Sequence, residues 1–364
     1  MAGMRLPDRQ TRFGWTVAAS LMVSVPVFVV GLAVGQNVGT MLGIASVPLS
    51  FTVPYFMEQR TAKMRPKRVR FLSYDRRPYV NDVFEALRSE LTLSPLKWDI
   101  DASIVKVSPD GSSGLGSAVR SAAAQSVDAL VILPLVADDS YWAAVEDALS
   151  AGIEVVVLDV EPPTSRFGAV GRTRPYLVAT DYAIGGRMVG QLMAAELHSD
   201  PTAVAVLAFG PDQYFAGSER SRQALGELAS AGLLGRTRLL KISAWDMADP
   251  VLDQLVALTP DARAVMWAYV GHDGNVGPAY RHFVKAGVPA ERIRLIGYDA
   301  IRTAFEGIEV LDSGMAVATV DVQMREQGRE AARILIDIRD TGERRVPMQR
   351  RIEPILRVAG RSGT

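Results

Sequence analysis

From Val69 onward the chain alternates short apolar runs with stretches of helical periodicity, and this rhythm predicts βαβ units around a parallel sheet. Strands are expected at Val69–Leu72, Trp98–Val107, Ala129–Leu133 and Glu154–Leu158, with helices at Tyr79–Leu91, Gly116–Gln125 and Tyr141–Ser150 between them. A second series follows: strands Ala203–Phe209, Arg238–Ile242, Ala264–Trp267, Arg294–Tyr298 and Met315–Val320, with helices Ile184–Leu197, Ser218–Ala231, Pro250–Leu258, Val276–Ala286 and Thr303–Leu311. The last long helix, Gln323–Arg339, returns to the first series, and the run Arg351–Val358 crosses back. The seam is the stretch Ala151–Gly190, where the strand-like runs Glu154–Leu158 and Tyr176–Thr180 end in Asp159 and Asp181. Ligand crevices of open α/β sheets form at the carboxyl ends of strands, so these carboxylates are placed near a cleft.

The start of the chain has a different texture. From Phe13 to Met57 all 45 residues are uncharged, enough for two spanning helices at roughly 20 residues each. The expected pair is 13–34 and 40–57, turning at Gly35–Gly39; a cleavable signal peptide would have a far shorter apolar core. The segments are therefore a cytoplasmic tail (1–12), a transmembrane hairpin (13–57), a basic linker (58–67), a first lobe (68–176 and 323–342) and a second lobe (177–322 and 343–364). Arg5, Arg9 and Arg12 precede the hairpin, and Arg60, Lys63, Arg65, Lys67, Arg68 and Arg70 follow it. The positive-inside rule then places both ends in the cytoplasm.

Composition removes several functions. Lysine plus arginine balances aspartate plus glutamate at 40 each, which gives no global field to attract nucleic acid. Cysteine is absent, so disulfides and thiolate chemistry are excluded. The three histidines, His198, His272 and His282, lack metal-ligand spacing, and neither GxSxG nor GxxxxGK[ST] occurs. Gly114–Gly116 lacks the third glycine of a dinucleotide fingerprint. No enzyme, cofactor or metal site is expected.

Five blocks carry a resemblance: 126–134 (SVDALVILP), 151–159 (AGIEVVVLD), 178–187 (VATDYAIGGR), 218–222 (SERSR) and 296–299 (IGYD). In order and spacing the chain from Arg68 to Val358 resembles the type I periplasmic binding protein family, in particular ribose- and other sugar-binding proteins and the effector domains of Lac repressor-like regulators. The resemblance implies two Rossmann-like lobes joined by three crossovers and closing on a small ligand. Carried over residue by residue, it nominates Ser73, Arg77 and Tyr79 after the first strand, Asp159 at the seam, and Arg220, Trp245, His272, Asp273, Asp299 and Asp321 from the second lobe. Val160 stands where the family places an arginine beside the seam aspartate, which loosens the expectation of an ordinary pentose or hexose. If Arg77 and Arg220 both face the cleft, an acidic or phosphorylated sugar fits.

The resemblance thus implies a membrane-anchored binder of a carbohydrate-like ligand, serving a transporter of the ABC type by lobe closure. The charge flanks leave a second reading open: a cytoplasmic, membrane-tethered sensor of a sugar phosphate or nucleoside that signals to a partner. The regulator reading has no room for a DNA-binding motif before Val69.

Overall fold

The computed structural model describes residues 65–74, 78–105, 114–134, 137–167, 174–210, 215–242, 246–259, 264–300, 311–341 and 349–359. The hairpin expected at 13–57 and the helix expected at 303–311 lie outside them, apart from Leu311, which stands in a turn. Among the described residues no helix is long and apolar enough to cross a membrane.

Two six-stranded sheets form the unit from Lys67 onward. The first contains β1 (Lys67–Ser73), β2 (Trp98–Ile104), β3 (Ala129–Leu133), β4 (Glu154–Leu158), β5 (Tyr176–Thr180) and β11 (Gln349–Ile352). Its strand order is β11-β5-β4-β3-β1-β2, parallel throughout. The second contains β6 (Val204–Phe209), β7 (Thr237–Lys241), β8 (Met266–Tyr269), β9 (Ile293–Tyr298), β10 (Ala316–Asp321) and β12 (Ile355–Val358), in the order β12-β10-β9-β8-β6-β7. Only the edge strand β12 runs antiparallel, to β10. In chain order the helices are α1 (Pro78–Leu93), α2 (Leu115–Ala124), α3 (Asp139–Ser150), the single turn α4 (Thr164–Phe167), α5 (Tyr182–Ser199), α6 (Phe215–Ser230), α7 (Asp249–Ala257), α8 (Val276–Lys285) and α9 (Met324–Thr341).

The central strands are apolar on both faces because helices cover both faces. In β3, Ala129, Val131 and Leu133 pack with α1 and α9, while Leu130 and Ile132 face the opposite core with α2 and α3. The second sheet repeats the division. Trp267 and Tyr269 of β8 join the core of α5 and α6, and Met266 and Ala268 join that of α7 and α8.

Two boundaries differ from the sequence expectation. The run Tyr176–Thr180 is buried on both faces between β4 and β11, so it closes the first sheet, and the chain crosses after Thr180. The terminal run is two strands, not one: Glu353-Pro354 interrupts it, and β11 stays in the first sheet while β12 enters the second. Proline has no N–H for a ladder, which makes this a natural point of exchange.

The chain therefore passes between sheets three times, at 180–182, 321–324 and 352–355, and the three passages are bonded together. The Thr180 hydroxyl donates to the Val322 carbonyl at 2.7 Å, and the Asp181 N–H donates to the Ile352 carbonyl at 2.9 Å. Gln327 of α9, fully buried, donates to the Thr180 hydroxyl at 3.0 Å, and Gln323 reaches the Glu353 carbonyl.

Entry into the second lobe is set by the glycines of α5, whose small face lets α6 approach closely. A Cβ on Gly190 would stand 2.6 Å from the Ala224 carbonyl oxygen and 2.7 Å from the Glu227 Cβ. Gly190→Ala is expected to lower stability by about 1–3 kcal/mol through this overpacking, measured by denaturant unfolding of the full chain.

Candidate functional site

The carboxyl ends of β4 and β9 carry the same device in the two lobes. Asp159 follows β4 at φ 62° and Asp299 follows β9 at φ 92°, both in the left-handed region that L-residues rarely adopt. Each backbone N–H is held by the neighbouring strand: Asp159 donates to Val178 at 2.9 Å, and Asp299 donates to Val320 at 2.8 Å. Such strain persists where surrounding structure over-determines it, commonly at binding sites.

Around Asp299 the second lobe builds a cationic and aromatic floor. Arg220 lies on α6, where a solvated face is the ordinary reading of the sequence, yet it is only 2% exposed. Its Nη1 donates to Asp299 Oδ1 and to the Gly271 carbonyl, both at 3.3 Å. The guanidinium lies 4.1 Å from the Tyr298 ring centre and 5.4 Å from that of Tyr182. Burial opposes the charge on Arg220, but Tyr269 and Asp299 more than offset this, so its pKa is raised and it stays cationic. Burial likewise raises the pKa values of Tyr182 and Tyr298, keeping both phenols protonated.

Asp159 meets this floor from the first lobe. The Tyr182 hydroxyl, the Thr180 N–H and the Gln327 side chain are the neutral donors that favour its charged form. Its Oδ1 is closed off and has no hydrogen-bond partner. Burial raises its pKa from 3.8 to about 6; those three donors act in the opposite direction, and the like charge of Asp299 adds to the rise.

The remaining nominated residues divide. Tyr79 on α1 reaches the Tyr74 hydroxyl and, with Asp299 and Asp321, lines a cavity of about 320 Å³ between the lobes. Asp321 accepts the Gln323 N–H at 2.8 Å and pairs with Arg357. Ser73 ends β1 fully buried, and its hydroxyl has no hydrogen-bond partner. His272 is buried and organises its own loop: Nδ1 accepts from the Gly274 N–H at 3.0 Å, and Nε2 lies 3.3 Å from Asp246. Asp273 departs from the expectation of a ligand contact. It is completely buried, and its Oδ1 accepts the Thr319 hydroxyl at 2.7 Å against the sheet. Arg77 and Trp245 lie outside the described residues. Among the described residues no group of acidic or histidine side chains could hold a metal ion.

Sequence reasoning passed over Tyr182, Tyr269, Tyr298, Thr180 and Gln327. Tyr182 and Tyr298 each adjoin an aspartate at a strand end, which is the signal that could have found them. Gln327 carries no such signal, because only tertiary packing brings α9 to the crossing.

Two hinged α/β lobes with paired carboxylates at matching strand ends define a type I periplasmic binding protein fold. The periplasmic binding protein domain family matches residues 108–344, and the chain belongs to that family. Membership makes it a binding protein rather than an enzyme. The structure is similar to a periplasmic ribose ABC transporter protein from Conexibacter woesei, with TM-score 0.67 and 17% identity over 82% of this chain and 93% of that one. It is also similar to an ABC transporter solute-binding protein from Actinobacillus succinogenes with bound D-allose (TM-score 0.64, 18% identity, 81% and 98% covered). A Caulobacter myo-inositol binding protein gives TM-score 0.62 at 19% identity, with 82% and 96% covered. No curated protein sequence matches the chain.

The raised pKa of Asp159 has a thermodynamic consequence. The folded protein holds this proton up to about pH 6, whereas the ordinary value is 3.8, so this group makes folding less favourable as pH rises through that window. Asp159→Asn is therefore expected to be near neutral at pH 4 and to stabilise the ligand-free protein by about 1–2 kcal/mol above pH 6, discounted for partial exposure. Denaturant midpoints across pH 4–8 check this.

Proposed function

We propose that the chain is a membrane-tethered solute-binding protein that takes a carbohydrate-like ligand between its lobes and closes on it at the three crossings. The observation that carries this is the presentation of Asp159 and Asp299 from opposite lobes at matching strand ends, beside the buried rings of Tyr182 and Tyr298. Aspartates accept hydrogen bonds from the vicinal hydroxyls of a sugar ring. The ligands in the names of similar structures, D-allose and myo-inositol, are polyhydroxylated rings. Service to an ABC-type transporter is supported by the names of two of the same neighbours, which are called ABC transporter proteins.

The tether is the uncharged stretch 13–57, long enough for two spanning helices. Its basic flanks favour a second reading, in which the lobes face the cytoplasm and sense a metabolite for a partner protein. An acidic or phosphorylated ligand loses part of its support, because Arg220 is already engaged by Asp299.

Titration of the full chain in detergent with neutral and amino sugars, polyols, sugar phosphates and nucleosides tests the ligand class by the rise in thermal midpoint. A sugar or polyol is expected to raise it, and Asp299→Asn is expected to weaken that ligand about tenfold to a hundredfold. A midpoint raised only by nucleosides would remove the carbohydrate reading. Protease accessibility in intact cells separates the two orientations: digestion of the lobes from outside supports the transporter reading, and protection supports the sensor.

A further inference from the structure

Among the described residues, four carboxylates around the cleft are matched with a cation. Asp299 pairs with Arg220 at 3.3 Å, Asp321 with Arg357, Asp82 with Arg325 at 3.7 Å, and Glu326 with Arg329 at 2.9 Å. Asp159 has no such cation among the described residues. Val160 beside it carries no charge, and the charge that bears on Asp159 is the like charge of Asp299. Its carboxylate receives neutral donors from Tyr182, Thr180 and Gln327, while Oδ1 is closed off from water with no donor at all. A buried carboxylate with no counter-charge is costly, and a hydroxyl would satisfy Oδ1 without supplying the missing charge.

We propose that the ligand is a polyhydroxylated molecule bearing a protonated amine, and that this ammonium sits on Asp159. The inference rests on the carbohydrate-binding reading above and narrows it to amino sugars and related aminated polyols. The cation must also carry a hydrogen to donate, because Oδ1 lacks a hydrogen bond, so a quaternary ammonium, with no N–H, does not fit. A charge-assisted bond is shorter and stronger than a neutral one. Asp299, although paired, adds to the negative potential at this point. Arg220 does not oppose the ligand strongly, because its charge is spent on Asp299 and stacked on Tyr298.

Binding should then follow the ionisation of Asp159. Facing it are Tyr182 from α5, Thr180 from β5, Gln327 from α9 and Asp299 beyond β9, with Tyr298 and Arg220 behind. The tyrosines stay protonated and Arg220 stays charged through the neutral range, which leaves Asp159 as the group that titrates near pH 6.

The test is isothermal titration of the full chain in detergent with D-glucosamine against D-glucose, D-galactosamine against D-galactose, and D-glucuronate. At pH 7.5 at least one amine should bind tenfold or more tighter than its neutral parent, and glucuronate should be weakest. Between pH 7 and pH 5 the affinity for the amine should fall about tenfold, following the ionised fraction of a group of pKa near 6. Asp159→Asn, with its thermal midpoint confirming that it folds, should bring amine and parent to within about twofold and flatten the pH profile. Neutral parents binding as tightly as their amines, or an amine preference that survives Asp159→Asn, would overturn the proposal and leave the carbohydrate reading standing. Binding by none of the sugars would remove both together.

Discussion

The hydrogen bonds that join the three chain crossings are the constraint on which the site depends. Thr180, Val322 and Gln327 form one buried cluster, and Asp181 and Ile352 bind the third passage to it. Each lobe has its own sheet with helices packed on both faces. What fixes the carboxyl ends of the two sheets toward a common cleft is this small polar knot. It is buried, and buried hydrogen bonds of this kind are costly to leave unmade.

The same knot reaches the ligand-facing groups without a break. Gln327 bonds Thr180 and also bears on Asp159, as does Tyr182, the first residue of α5, from the far side of the crossing. A group that neutralises Asp159 thus acts on a residue already bonded to the hinge. The second lobe answers with Asp299, held in the same strained backbone form and charged against Arg220. The site is asymmetric in charge though symmetric in backbone. One aspartate has its cation built in, and the other has none among the described residues.

The βαβ rhythm, the two-lobe architecture and Asp159 at the end of β4 were legible from apolar runs and a strand-end carboxylate, whereas Asp299 at the end of β9 came from the family resemblance. The seam was misplaced at Tyr176, because a run such as Tyr176–Thr180 looks the same whether it closes one sheet or opens the next. Periodicity records that a strand is buried, not which neighbours bury it. Asp273 was nominated by the family resemblance alone, yet its carboxylate accepts the Thr319 hydroxyl within the second lobe, since a position carried over from a family does not fix which neighbour a side chain meets.

What the sequence alone determined is therefore local: where strands and helices run, which strand ends carry acid groups, and which family the order of these blocks resembles. Pattern, propensity and spacing are properties of the chain within a few turns of each residue. The tertiary structure alone decided that Arg220 is a buried partner of Asp299, that Gln327 closes the crossing, and that Asp159 is left without a counter-charge. Those facts rest on distances between residues separated by 79 positions in one case and 147 in another. No local pattern encodes them, because burial and charge pairing are set by what the folded chain brings alongside.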